Sequence, residues 1–439
     1  MIPTHATPLT SAAIALAALI AVLSTVTDSI AQQFTADLEI RPRLEVRNGF
    51  KTPILEGQNP AAFVEQRSRL ALNFTDSPIA VRLVMQDVRI WGNHGQIYKT
   101  EANLSNVYEA WAQYAFNEAW LVRFGRMQLN YDNARFLGNL DWAQQGRSHD
   151  ALLFRHTLTP LRITVDVALT WNQAGFAEPA RLIDNFYPLG AANNKTMQFI
   201  WVNKQYDEAS VSVLLHNDGR QLADESMAWM QTMGTFMQYR LGEYNVQGEG
   251  YYQTGDDAAG NETAAWLVGL ESTRKLDDLT LGLGLDISSG SESGSTSNNS
   301  FMPLYGTNHK FYGFMDYFHV GNAFRQPGGG FDVGLVDVFQ KLSWSARADL
   351  TLALHVHQFM AHRDVVDAGT GQTLDSYLGT ELDFVATWRP APSASFVFGY
   401  SIMLQTDTMN AVKGAVNPQA HQSWAFVMLR VAPRVFSNQ

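Results

Sequence analysis

Cysteine is absent from the 439 residues, so no disulfide framework holds this chain and no thiol serves it as nucleophile or ligand. Lysine is scarce: 8 of the 31 basic residues, against 23 arginines. Long apolar runs are missing as well. Ala12 to Val26 is one, but it falls short of the about twenty residues a spanning helix needs, so any membrane crossing must be made by strands. No Pro-rich linker and no abrupt change of charge divides the chain, which favours one unit. No Gly-rich phosphate loop follows a strand and opens a helix, and Gly328-Gly329-Gly330 reads as a flexible turn. His355, His357 and His362 lack a third ligand at metal spacing, so a hydrogen-bonding role inside the fold suits them better; no metal and no cofactor is expected. The net charge of −11 excludes a nucleic-acid footprint.

What is present is a double alternation. From Asp278 to Ser288, Leu279, Leu281, Leu283, Leu285 and Ile287 share one face, while Thr280, Gly282, Gly284 and Asp286 share the other. Leu161 to Trp171 repeats this: Leu161, Ile163, Val165, Val167 and Leu169 oppose Arg162, Thr164, Asp166 and Thr170. Strand side chains point to opposite faces with a period of two, so one face is greasy and the other wet. Strand-like runs fall near 35–47, 63–75, 79–91, 106–116, 120–130, 149–157, 161–171, 195–206, 208–217, 229–240, 243–254, 262–275, 277–288, 331–342, 347–359, 376–389, 394–405 and 421–432. The even-numbered links are tight: Asp76-Ser77-Pro78, Asn117-Glu118, Thr159-Pro160, Asp207, Gly242, Leu276, Trp344-Ser345 and Pro390-Ala391-Pro392. The odd-numbered links are almost all longer. Short turns at one end and long loops at the other predict an all-β fold: a single transmembrane antiparallel up-and-down β-barrel in a bacterial outer membrane. The turns would be periplasmic and the loops extracellular. Eighteen strands is the count; sixteen would follow if two weaker runs were loop.

The beginning of the chain agrees with export. Ser29-Ile30-Ala31 closes the first apolar run with a small–x–small pattern, predicting a cleaved signal peptide over 1–31 and a barrel over 32–439. The first eleven residues carry no Lys or Arg, which departs from the usual leader. Trp91, Tyr98, Trp111, Trp120, Trp171, Trp201, Trp388 and Trp424 recur near strand ends, where amphipathic rings suit the two membrane–water boundaries.

The polar face carries charge. Asp37, Glu39, Arg41, Arg43, Glu45 and Arg47 share one side of the first run, and Arg67, Arg69 and Asn73 one side of the second. An Arg or Lys facing lipid at midplane costs about 2–4 kcal/mol, so these side chains must face the lumen. Fourteen arginines precede Leu182, which makes the basic lining lopsided. Guanidinium grips carboxylate with a planar fork, and that suits either an internal ion-pair lattice or a path for an anionic solute. Asp87 and Arg89 share the phase of Val81, Leu83 and Met85; a bulge near Gln86, or emergence from the membrane there, would put them inside, and the bulge is predicted. The loop after the fifth strand holds Asp132, Arg135, Asp141, Arg147 and Asp150 with Trp142. Its charges either pair among themselves outside or the loop folds in and lines the mouth. With Arg126, these residues complete the candidate solute path. The longest link, within 289–330, divides in two. Ser289 to Ser295 is small and polar and reads as mobile, while Pro303 to Phe318, with His309, Lys310 and Asp316, is predicted to fold as a lid or constriction.

These residues carry a resemblance. Arg41–Arg47, Arg67-Ser68-Arg69-Leu70, Gln86 to Gly92, Gly125-Arg126-Met127-Gln128-Leu129, Asp132 to Gly138 and Asp141 to Ala151 are similar to the alginate-export family of outer-membrane barrels, as are Gly306 to Phe318 and Trp424 to Phe436. The resemblance implies an eighteen-stranded monomeric channel, not an enzyme, that conducts an acidic polysaccharide through its lumen. Its partners would be outer-membrane lipid and an acidic polysaccharide or small anionic solute; the sequence names no periplasmic partner. Two other readings stand beside it: a porin for uptake of small organic molecules, and a plugged structural or adhesion barrel.

Overall fold

The computed structural model of the chain describes residues 32–93, 105–173, 187 and 193–438. The expected leader over 1–31 and Tyr98 lie outside the described residues. The strands are β1 (Gln32–Asn48), β2 (Ala61–Asp76), β3 (Ile79–Ile90), β4 (Ser105–Ala115), β5 (Trp120–Met127), β6 (His149–Leu158), β7 (Ile163–Trp171), β8 (Thr196–Gln205), β9 (Ala209–Gln221), β10 (Met227–Leu241), β11 (Tyr244–Asp256), β12 (Glu262–Leu276), β13 (Leu279–Ser288), β14 (Leu335–Arg347), β15 (Leu350–Ala361), β16 (Tyr377–Ala391), β17 (Ala394–Gln405) and β18 (Gln422–Val431). Each pairs antiparallel with the next. The ring closes where β1 meets β18, Ile40 opposite Val431 and Arg47 opposite Trp424. A last segment, β19 (Arg434–Ser437), prolongs that seam along Thr35 to Asp37. Closure satisfies every strand edge, which is what a sheet in lipid requires. A short α-helix, α1 (Asp407–Val412), lies in the last outer loop, capped where Met409 N donates to the Thr406 hydroxyl at 3.2 Å.

Side-chain alternation sorts into two environments as the phase demands. Leu281, Leu283 and Leu285 are exposed outward, with Leu283 at 63%, whereas Asp286 on the other phase is buried. In β1 Ile40, Leu44 and Val46 face out while Arg41, Arg43 and Glu45 are buried within. Trp91, Trp120, Trp171, Trp344 and Trp388 are exposed at strand ends. Three aromatics expected in that belt turn inward instead. Trp424 donates to Glu45 at 2.9 Å, Trp111 to Glu109 at 3.1 Å and Trp201 to Asp132 at 3.2 Å. Each lies on the phase of the lumenal charges, and an indole N–H inside the barrel finds a carboxylate there.

Three of the tight turns sit a few residues from their expected places. Leu276, Trp344 and Ser345 belong to strands, and Ala391 pairs with Ala394. The turns proper hold Asp277-Asp278, Ala348-Asp349 and Pro392-Ser393. At the first, Asp277 takes a left-handed backbone at φ 50°, a conformation aspartate tolerates better than most.

Candidate functional site

Two loops fold from the outer end into the barrel: the inner loop, 128–148, and the long loop, 289–334. The inner loop crosses the lumen and is fastened at both walls. On the β1–β3 side, Arg41 donates from Nε to Gln144 at 3.0 Å and from Nη1 to the Asp141 carbonyl at 2.9 Å, and Arg43 reaches the Trp142 carbonyl at 2.9 Å. The Asp141 carboxylate meets Arg67 at 2.9 Å, Arg69 at 3.2 Å and Arg41 at 3.5 Å. Burial alone would raise the Asp141 carboxyl; Arg67 and Arg41 outweigh it and hold it below the ordinary carboxylate range. On the opposite wall Arg135 forms ion pairs with Glu249 at 2.8 Å and Asp286 at 2.7 Å, all three groups buried, under the Phe311 ring at 3.6 Å. Burial would lower the Arg135 guanidinium, but those two carboxylates hold it above its ordinary value. Between the walls, Asp132 accepts from Ser212 at 2.7 Å and Tyr131 donates to Asp166 at 2.8 Å.

The long loop lies against the inner one. Gly138 N donates to the Tyr305 carbonyl at 2.8 Å and Thr307 N to that of Ala134 at 2.9 Å. Trp142 stacks on His309 at 4.4 Å and 10°, and His309 Nδ1 is 2.8 Å from Asp316. Lys310 donates to the Asn133 carbonyl at 2.9 Å. Farther round, Met315 N donates to Glu381 of β16 at 2.7 Å and Phe314 N to Asp383 at 3.3 Å. Gly313, at φ +79°, makes this approach, because a Cβ there would stand 2.6 Å from the Glu381 carboxyl. The first part of the stretch expected to be mobile, Ser289 to Ser291, is packed, while Glu292, Ser293 and Gly294 are exposed. Ser289 and Ser291 are buried, with Ser289 Oγ donating to the Asn299 carbonyl at 2.8 Å and Ser291 N to that of Asp332 at 2.9 Å. Small side chains let backbones meet, and each hydroxyl replaces a lost water.

The predicted residues therefore divide. Arg41, Arg43, Arg67, Arg69, Asp132, Arg135, Asp141 and Arg147 come together inside, with His309, Lys310 and Asp316 of the long loop. Arg47 also faces in, paired with Glu45 at 2.8 Å and lying over Phe50. Asp87, Arg89, Arg126 and Asp150 do not join the lumen. The bulge stands in β4 at Tyr108, opposite Val84 and Met85, not at Gln86. Gln86 is buried and bonded to Arg69 at 2.7 Å, so Asp87 and Arg89 keep the outward phase, opposite Ser68 and Gln66. Asp87 takes the Arg89 guanidinium at 2.6 Å, and Arg126 pairs with Asp150 at 2.8 Å in the same outward sense. Both pairs adjoin the long loops, above the apolar band, where an outward ion pair avoids hydrocarbon. The acids that complete the lumenal lattice, Glu39, Glu65, Glu109, Glu249, Asp286, Glu381 and Asp383, were missed as partners. Their inward phase was the available signal.

Among the cavities of the described residues, one lies on either side of segment 139–147. The inner one, about 370 Å³, opens toward the short turns and is lined by Arg67, Arg69, Arg82, Arg430 and Arg434 with Asp37, Glu39, Glu109 and Asp141. The outer one, about 600 Å³, is bounded by the loops. His357 sits 2.9 Å from Asp337, and no cluster of three metal-ligating side chains occurs among the described residues.

A closed eighteen-stranded barrel with an oily exterior, a charged interior and inward-folded loops is an outer-membrane channel of a Gram-negative bacterium. The alginate-export family model matches residues 32–425, and the chain belongs to that family. No curated protein matches the chain. Solved structures of the same fold include OpdK of Pseudomonas aeruginosa, with 10% identity and a TM-score of 0.60 over 92% of this chain and 98% of that one. OpdL of the same organism gives 12% identity and 0.59 over 92% and 99%, and OccAB4 of Acinetobacter baumannii 11% and 0.61 over 93% and 99%.

Proposed function

We propose that the protein is a passive, monomeric channel for acidic solutes, sized in this conformation for single small carboxylate-bearing molecules. The leading residues 1–31 would direct export and be removed, and the inner arginines Arg69, Arg82, Arg430 and Arg434 would line the path on the turn side. The observation that carries the reading is the inner loop, fastened at both walls by buried charge, with a cavity on either side of it. A few hundred Å³ suits one small molecule. A solved OpdK structure contains vanillate, itself a carboxylate, and this supports the small-solute reading. The family description, alginate export, favours a second reading in which a polyuronate passes. That passage requires the inner loop to leave its anchors. Flux into proteoliposomes separates the readings: galacturonate should enter faster than galactose, and an oligouronate should not enter. Equal entry of oligouronate and monomer supports the polymer reading; no flux of any probe removes both.

A further inference from the structure

Eighteen arginines are paired with carboxylates among the described residues, those of the inner cavity among them. Its five arginines face four carboxylates, and each arginine is already held: Arg67 and Arg430 by Glu39, Arg69 by Asp141, Arg82 by Glu109, Arg434 by Asp37. The outer cavity is different. It is lined by Lys51, Arg147 and Arg325 with one carboxylate, Asp332. None of the three cations forms a close ion pair with a carboxylate among the described residues, although Arg325 lies near enough to Asp332 to act on it. Arg147 donates only from Nη1, to the carbonyls of Gly138 at 3.2 Å and Gly306 at 3.1 Å and to that of Tyr305, which leaves Nε and Nη2 without a described protein partner. Partial burial pulls its guanidinium down from its ordinary value, as expected of a cation that lacks a counter-ion. Burial raises the Asp332 carboxyl despite the Phe324 N–H it accepts at 3.1 Å and the nearby Lys413 and Arg325, so the three lining cations outnumber the one carboxylate. His319, pushed down to about 3 by burial, stays neutral there.

We propose that the outer cavity, through Arg147, Arg325 and Lys51, is an anion-binding site that captures one carboxylate-bearing solute of monosaccharide size before it reaches the inner loop. This rests on the acidic-solute reading and assigns its recognition step to the loops, not to the arginines of the barrel wall. A planar guanidinium offering two free N–H groups, with two further cations at the rim, fits a carboxylate; a neutral sugar would leave that charge uncompensated.

The test is block of single-channel current in planar bilayers by galacturonate, added to each side in turn, with galactose as the neutral control. Galacturonate should interrupt the current more strongly from the loop side, and galactose should not. The double variant K51Q/R325Q, whose side chains make no described hydrogen bond, should weaken the block roughly tenfold or more, read as the fractional block of that variant's own open current. R147K, keeping the charge but not the fork, should weaken it further still. Unchanged block in K51Q/R325Q, or equal block by galactose, overturns the proposal. Anion selectivity in plain salt, if it persists in that variant, leaves the acidic-solute channel standing without this site.

Discussion

Replacing Arg135 by Gln should release the inner loop without opening the barrel. Arg135 is buried to 3% exposure and binds Glu249 and Asp286, each at 4% side-chain exposure, at 2.8 and 2.7 Å. Removing one member of such a network strands the others. Breaking a buried pair in this way costs about 3–5 kcal/mol, which shifts a local docking equilibrium by roughly two to three and a half orders of magnitude. The cost falls on the loop, because the β11–β12 and β12–β13 ladders stay paired through their backbones. Single-channel recording should therefore show larger and noisier conductance in R135Q, while the barrel keeps its resistance to heat in detergent. The variant R135M/E249Q/D286N, which removes all three charges together, should restore much of the quiet, low-conductance state. Unchanged conductance in R135Q, or no recovery in the triple variant, would refute the assignment of Arg135 as the far anchor.

Other outcomes follow from the same contacts. Asp141 is held below the usual carboxylate range, so its contribution to docking is complete above its unfolded value near 3.8 and is lost as pH falls through the depressed one. The part of the conductance change that D141N removes should therefore be absent from pH 7 to about 4.5 and appear only in stronger acid, read as the difference between wild type and variant. Gly313→Ala places a Cβ against Glu381 at a left-handed backbone position, costing roughly 1–2 kcal/mol for the backbone alone. Faster proteolysis within 289–334 of the detergent-solubilised protein should report it, with the barrel fragments intact. Leu283→Arg puts a charge on the lipid face at a cost of about 2–4 kcal/mol, to be read as a lower urea midpoint for folding into vesicles.

The barrel was legible because lipid enforces alternation. A strand such as Leu279–Ser288 must keep its phase, and each tight turn interrupts it. Turns drifted at Leu276 and Trp344, where apolar residues continue the pattern to the membrane edge. The inward phase of Arg41, Arg43, Arg67 and Arg69 was legible for the same reason. Their partners were not. That Asp141 would meet three arginines more than seventy residues away depends on how the inner loop crosses the lumen, and no period encodes that path. Asp87 and Arg89 show the opposite failure: the phase was right, and the inferred bulge that displaced it was not, because the strand had already risen above the apolar band. The packing of Ser289 to Ser291 was hidden because it comes from hydrogen bonds between small groups, which composition reads as looseness.

The central claim is that charge faces a continuous, ion-conducting lumen that favours anions. The direct measurement is the reversal potential of single channels in a planar bilayer under a potassium chloride gradient. The account predicts stable conductance with a potential displaced toward chloride. A sealed barrel, or a potential displaced toward potassium, would contradict it.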